Sequence, residues 1–130
     1  MTPSEIIKKE AQKVGYDADV LLRKINKLVS NGTGILLHKN NSLLLLIFIA
    51  KGVVELHLIT DDKPAAIADS LKYFINKIKE SDIQKVYGST NSIQHNDLQK
   101  TLGLLDKMGI DVQKPDNPRY HWMATVEGSK

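Results

Sequence analysis

Hydrophobic positions in the first thirty residues recur with helical spacing. Ile6, Ile7, Ala11 and Val14 fall on one face, with Ser4 as the expected cap and Gly15 as the stop. A second helix is expected after Asp17, an acidic cap. It carries the apolar stripe Ala18, Leu21, Leu22, Ile25, Leu28 and Val29 and ends at Asn31-Gly32, two residues that tolerate a left-handed backbone. From Gly34 the period changes. Residues 34–39 read as a strand, and Asn40-Asn41 suits a tight hairpin turn. The run 42–50, SLLLLIFIA, is apolar at nearly every position, so a central strand covered on both faces is expected. Lys51-Gly52 is a second turn and 53–60 a third strand. Three strands joined by such short turns make an antiparallel meander.

A helix entered at Pro64 follows, a residue at home in a first turn. Ile67, Leu71, Phe74, Ile75 and Ile78 face one way; Lys72, Asn76, Lys77 and Glu80 face the other. Residues 84–87 form a short strand ending at Gly88. From Asn96, the spacing of Leu98, Leu102, Leu105 and Met108 predicts another amphipathic helix closed by Gly109. Residues 110–113 are a short strand, 114–119 a loop with two prolines, and 120–126 the last strand. The order is α-α-β-β-β-α-β-α-β-β, an α/β (α+β) chain with a mixed sheet. The strands on either side of the Pro64 helix should be parallel neighbours joined by a right-handed crossover. This divides the chain into a helix pair (1–32), a sheet domain (33–127) and a tail (128–130).

Composition narrows the function classes. The chain has 130 residues, 42% of them hydrophobic and 25% charged, enough to bury a core without metals or disulfides. It contains no cysteine, which excludes thiolate metal sites and a cysteine nucleophile. Net charge is +3, but lysines alternate with acids, as in KKEAQK, so solvated helix faces explain them better than a nucleic-acid stripe. MTPSEIIKKEAQ is too charged for a secretory signal. The apolar run 43–50 is far shorter than the roughly 20 residues that span a bilayer, so no membrane partner is expected. The four histidines, His38, His57, His95 and His121, lack ligand spacing, and no metal site is expected.

From Gly34 to Val126 the element order resembles the GNAT N-acetyltransferase fold. LLDKMGI, residues 104–110, is similar to the motif that closes a later helix in that family. The resemblance implies acetyl-CoA at the helix after the third meander strand. There a Q/R-x-x-G-x-G/A loop offers backbone N–H groups to the pyrophosphate, using the helix N-terminus as an anion site. Here that loop reads Thr60, Asp61, Asp62, Lys63, Pro64, Ala65, Ala66. It has no glycine, and two carboxylates stand where phosphate would lie. Like charges at that range cost on the order of 1 kcal/mol even in water. Thr60, Lys63, Ala65 and Ala66 are the cofactor-binding candidates that remain. The family's general acid, a tyrosine four residues before the closing glycine, is replaced by Leu105. Glu55 and His57 alternate on the third meander strand and are the candidate bases.

Other features carry weaker chemistry. GSTNS, residues 88–92, suits a turn whose Ser or Asn caps the next helix. Tyr120 and Trp122, with Pro115, Pro118 and Arg119 nearby, are either core or a contact patch. Leu21, Leu22 and Ile25 either cover the sheet or dock on another protein. Nearly the whole chain is also similar to short GNAT-like proteins encoded among the structural genes of tailed phages. EAQKVGYDADVLLRKINKLV, residues 10–29, carries that likeness. It implies a virion or assembly component in several copies, located in the virion or host cytoplasm. Three readings stand. The expected one is a non-catalytic GNAT-like module that binds protein and needs no cofactor. The alternatives are an acetyl-CoA-dependent N-acyltransferase with a divergent loop, and a nucleic-acid-binding accessory protein.

Overall fold

The computed structural model describes residues 1–88, 110–113, 116, 120 and 122–126. The elements run α1 (Pro3–Val14), α2 (Ala18–Ser30), β1 (Gly34–Lys39), β2 (Ser42–Ala50), β3 (Val53–Thr60), α3 (Pro64–Glu80), β4 (Lys85–Gly88), β5 (Ile110–Gln113) and β6 (Trp122–Val126). The strands are ordered β1-β2-β3-β4-β6-β5. The pairs β1–β2, β4–β6 and β5–β6 are antiparallel and β3–β4 is parallel. The sheet is therefore mixed, and the parallel pair flanks α3 as the hydrophobic pattern predicts. The helix expected over 96–108, with Leu98, Leu102, Leu105 and Met108, lies outside the described residues, as do His95, residues 89–92 and the tail.

Local chemistry sets the element ends. The cap of α1 is Thr2 rather than Ser4. Its hydroxyl accepts from the Glu5 amide at 3.2 Å, the Glu5 carboxylate accepts from the Thr2 amide at 3.0 Å, and Pro3 opens the helix. Ser4 falls inside the first turn, because the Thr2–Glu5 pair supplies the reciprocal box one residue beyond the proline. Asp17 caps α2 as expected, accepting from the Asp19 and Val20 amides. The final strand begins at Trp122 rather than 120, and β4 is shifted one residue later than expected.

The chain forms two compact units. One comprises residues 1–47 and 57–74, the other 48–56 and 75–130. In the first, Ile6 and Ile7 of α1 and Ile25 of α2 join Leu43 and Leu45 of β2 in one cluster. Leu21, Leu22, Leu28, Leu36, Ile47 and Ile59 surround it. The alternate β2 residues Leu44 and Leu46 are buried as well, at 1% exposure each. Burial of each such side chain contributes about 1.5–3 kcal/mol, which accounts for the unbroken leucine run. Cover on both faces does not extend the length of β2, since Ile49 is 44% exposed.

In the second unit the carbonyl of Gly52 accepts from the amides of Gln84 (2.7 Å) and Lys85 (3.1 Å). This anchors β4 at the β2–β3 turn and sets the register Glu55↔Tyr87 and Leu56↔Gly88. Gly88 lies opposite Trp122 in the β4–β6 pair. A Cβ on Gly88 would overlap the indole ring, so only glycine fits beneath it. Among the described residues, Trp122 Nε1 is a buried N–H with no hydrogen-bond partner.

Candidate functional site

The β3–α3 junction brings Thr60, Lys63, Ala65 and Ala66 to one helix entrance. Ile67 N donates to Lys63 O at 3.0 Å, the first backbone bond of α3. The amides of Ala65 and Ala66 precede it and have no intrahelical acceptor. The first turn contains no acid, and Lys63, which precedes the helix, has no acceptor on its side chain. In this α3 differs from α1 and α2, whose entrances are closed by Thr2 with Glu5 and by Asp17. A lysine at this point also opposes the helix dipole. The entrance thus carries a cation where α1 and α2 carry acids.

The two acids before the helix, expected from sequence to stand where a phosphate would lie, each make contacts within the chain. Asp61 is drawn to α1: its carboxylate pairs with Lys9 Nζ at 2.8 Å and Lys13 Nζ at 3.6 Å. The hydrogen bond from Lys9 holds the Asp61 carboxyl below its usual range, assisted by the charges of Lys9 and Lys13. Asp62 turns to the β1–β2 hairpin. It accepts from the Asn41 amide (3.0 Å), the Ser42 hydroxyl (2.6 Å) and the Ser70 hydroxyl (3.3 Å). Its own amide donates to Thr60 Oγ1 at 3.0 Å, and Thr60 Oγ1 lies 2.6 Å from Ser42 Oγ. Ser42 and Ser70 are 0% and 1% exposed. Asn40 completes the cluster, its amide group donating to Asp69 Oδ2 and Ser70 Oγ at 3.0 Å each. Both carboxylates are engaged by groups of the chain itself: Asp61 is paired with two lysines, while Asp62, held by neutral donors, keeps its negative charge.

None of Lys9, Lys13, Asn40, Asn41, Ser42 or Ser70 was a candidate from sequence. Ser70 alone carried a signal, because it sits between Ile67 and Phe74 on the apolar stripe of α3, and a hydroxyl there needs a buried partner. The others come together only through folding.

Glu55, one of the two candidate bases, lies in the second unit, and His57 in the first. Glu55 is half-buried, and its Oε2 accepts from Tyr120 Oη at 2.9 Å. Tyr120 stacks on Tyr87, with ring centroids 4.9 Å apart and planes at 27°. Tyr87 Oη donates to Asp116 Oδ1 at 2.6 Å, and Lys85 Nζ lies 3.6 Å from Asp116 Oδ2. The hydrogen bond to Asp116 raises the Tyr87 phenol above its usual range and lowers the Asp116 carboxyl below its own. His57, two residues along β3 from Glu55, is exposed.

The residues expected to offer a protein contact differ in their burial. Ile25 is 3% exposed, Leu21 and Leu22 pack on the cluster of α1, α2 and β2, and Tyr120 and Trp122 are 7% and 6% exposed. Ile25, Tyr120 and Trp122 thus contribute to folding, while Leu21 and Leu22 are partly buried. Pro115, Pro118 and Arg119 lie outside the described residues. Among the described residues no group of three or more His, Cys, Asp or Glu side chains is placed to hold a metal, and no helix is long and apolar enough to cross a membrane.

No protein-family model matches the sequence, and no curated protein matches it. Solved structures do. A variant of the spermidine N-acetyltransferase of Vibrio cholerae superposes with a TM-score of 0.53 at 15% identity, over 83% of this chain and 72% of that one. An acetyltransferase of Bacillus subtilis in complex with CoA gives 0.46 at 14% identity, covering 78% and 79%. A chimaera of the Vibrio cholerae enzyme with hSSAT gives 0.45 at 16%, covering 84% and 74%. The first of these superpositions gives the chain a GNAT-like fold, the mixed sheet with its crossover helix that the element order predicts.

Proposed function

We propose that the chain is an acyl-CoA-dependent N-acyltransferase. The observation that carries this reading is the entrance of α3. It is the anion-binding position of the family's fold, it is preceded by Lys63 rather than an acid, and the two nearby carboxylates are engaged by Lys9, Lys13, Asn41, Ser42 and Ser70. The donor set fits a pyrophosphate: the Ala65 and Ala66 amides point along the helix axis and Lys63 adds a cation. Pro64 contributes no N–H, so this entrance offers fewer donors than the glycine loop of the family.

Bound there, acetyl-CoA would supply a thioester carbonyl open to attack by an amine. The chain's own tasks are two. Ala65, Ala66 and Lys63 hold the diphosphate and so fix the cofactor's position. A base takes the proton that the attacking nitrogen sheds, and we assign this to Glu55, whose carboxylate accepts a hydrogen bond from Tyr120 Oη. His57 remains exposed on the same strand. The acceptor class is a primary amine, in keeping with the polyamine named for the Vibrio cholerae neighbour.

The three structural neighbours are acetyltransferases, which gives the phage-assembly role no support. A non-catalytic GNAT-like module is the second reading, favoured by the glycine-free loop and by Leu105 at the family's acid position.

Calorimetry and thermal unfolding with acetyl-CoA separate the two. At about tenfold excess over Kd the ligand stabilises by about 1.4 kcal/mol. Lys63→Glu should weaken binding several-fold, since it replaces an exposed cation by an anion beside the diphosphate. Incubation with a panel of primary amines, spermidine included, should give an acetylated product by mass spectrometry. Absence of both heat and thermal shift at millimolar acetyl-CoA would overturn the enzyme reading and leave the binding module.

A further inference from the structure

We infer that Tyr120 is a positioning residue for Glu55, and that Tyr87, anchored by Asp116, is what holds Tyr120 in place. The inference rests on the acyltransferase reading and adds to it the groups that aim the base.

The geometry is a chain of fixed contacts within one unit. Glu55 and Tyr87 are aligned neighbours across the parallel β3–β4 pair, so their side chains share a face. The Tyr120 ring lies on the Tyr87 ring, and both are 7% exposed in a cluster with Met123 and Val53. Two buried, stacked rings have little rotational freedom, so the Tyr120 hydroxyl is delivered to Glu55 Oε2 at 2.9 Å without further ordering. Tyr87 is pinned at its far end by the 2.6 Å bond to Asp116, which Lys85 also touches.

Two effects on the base follow. A hydroxyl donating to one carboxylate oxygen fixes rotation of the carboxyl plane, so the group meets an amine in one orientation. It also favours the ionised form, the form that accepts a proton. Among the described residues, the titratable and charged groups on this face are His57 on β3, Lys85 and Tyr87 on β4, Asp116 and Tyr120 itself.

Tyr120→Phe keeps the ring and its stack while removing the donor. The test combines three measurements on the full chain. These are acetyl-CoA affinity by calorimetry, the Glu55 titration by carbon-detected NMR with Glu55→Gln for assignment, and the pH profile of kcat/KM with the amine panel. We expect affinity within twofold of wild type. We also expect the Glu55 midpoint and the acid limb of the profile to rise together by about 0.5–1 pH unit, with kcat falling more than KM changes. Asp116→Asn, which loosens Tyr87 without touching Glu55, should move both in the same direction by less. An unmoved Glu55 midpoint in Tyr120→Phe overturns the inference, as does a midpoint that moves while the acid limb stays. A wild-type chain that binds acetyl-CoA but acetylates no amine overturns the functional reading itself. The Glu55 shift would then persist as a structural contact alone, which keeps the two failures distinct.

Discussion

Ser42 and Asp62, twenty residues apart in sequence, are joined by a 2.6 Å hydrogen bond from the serine hydroxyl to the carboxylate. The bond ties the start of β2 to the loop that launches α3. Around it, Asn41, Thr60 and Ser70 contribute further contacts to the same cluster. The acid that reads from sequence as an obstacle to a phosphate is a brace for the helix entrance.

Asp62→Ala should therefore be costly despite its place in a loop. It removes the acceptor for the Asn41 amide and for two buried hydroxyls at once. Hydrogen bonds to charged groups are worth about 1.5–3 kcal/mol each, and the serines keep their contacts to Thr60 and the Lys39 carbonyl. A net loss of about 2–3 kcal/mol in urea unfolding is expected. Asp61→Ala, one residue away, should cost much less, because its partners Lys9 and Lys13 are half-exposed.

Asp61 nonetheless leaves a signature in acid. Its carboxyl is depressed chiefly by the hydrogen bond from Lys9. A depressed folded-state value gives stability that is present above the unfolded value near pH 4 and is lost as pH falls through the folded value. The wild type should lose more stability between pH 5 and pH 3 than the Lys9→Ala, Lys13→Ala double variant. The difference should shrink in about 1 M salt, where screening acts within about 3 Å.

Gly88→Ala tests the packing of β4 on β6. The added methyl overlaps the Trp122 indole, and overpacking of this kind costs typically 1–3 kcal/mol. We expect a loss of about 3 kcal/mol in chemical unfolding, with part of it recovered when Trp122→Phe is combined with it, since a smaller ring yields space. The double variant should be less destabilised than the sum of the singles. Trp122→Phe alone should lose ring area without losing a hydrogen bond, as the indole N–H has no partner among the described residues.

The Tyr87–Asp116 contact acts at the opposite end of the pH scale. The Tyr87 phenol is raised first by its hydrogen bond to Asp116 and then by burial. A raised folded-state value gives stability that is complete below the unfolded value near pH 10 and is lost as pH climbs through the folded value. In an ultraviolet titration, Tyr87 should ionise late, and Asp116→Asn should bring that step to lower pH. An unchanged titration in the variant would show that the carboxylate is not the cause.

Most of the framework is legible from local chemistry. Asp17, the two hairpin turns and the alternation along 34–60 place α2 and three strands within a residue of where they fold, because each signal is confined to neighbours in sequence. The parallel β3–β4 pair follows from the crossover rule. The failures share one cause. Thr2 displaces Ser4 as a cap because Glu5 reaches back to it. Asp61 and Asp62 change meaning because Lys9, Lys13 and the Asn40–Ser42 turn reach them across the fold. Tyr120 meets Glu55 from 65 residues away. Spacing along a chain encodes which face a residue occupies; it carries no record of which distant group will neutralise it.

The doubly accepting carbonyl of Gly52 has a bearing on how the molecule tolerates change. Because one turn oxygen captures both Gln84 and Lys85, the returning crossover is indexed to that turn. An extra residue between Lys51 and Val53 would do more than lengthen a surface connection. Either the clasp breaks, or β4 slides by one and swaps its faces, sending Tyr87 to the side where Val86 and Gly88 now lie and parting Tyr120 from its stacking partner. Insertions that hairpin tips commonly accept should accordingly be accepted at Asn40-Asn41 or Lys51-Gly52 only with loss of one anchoring network or the other.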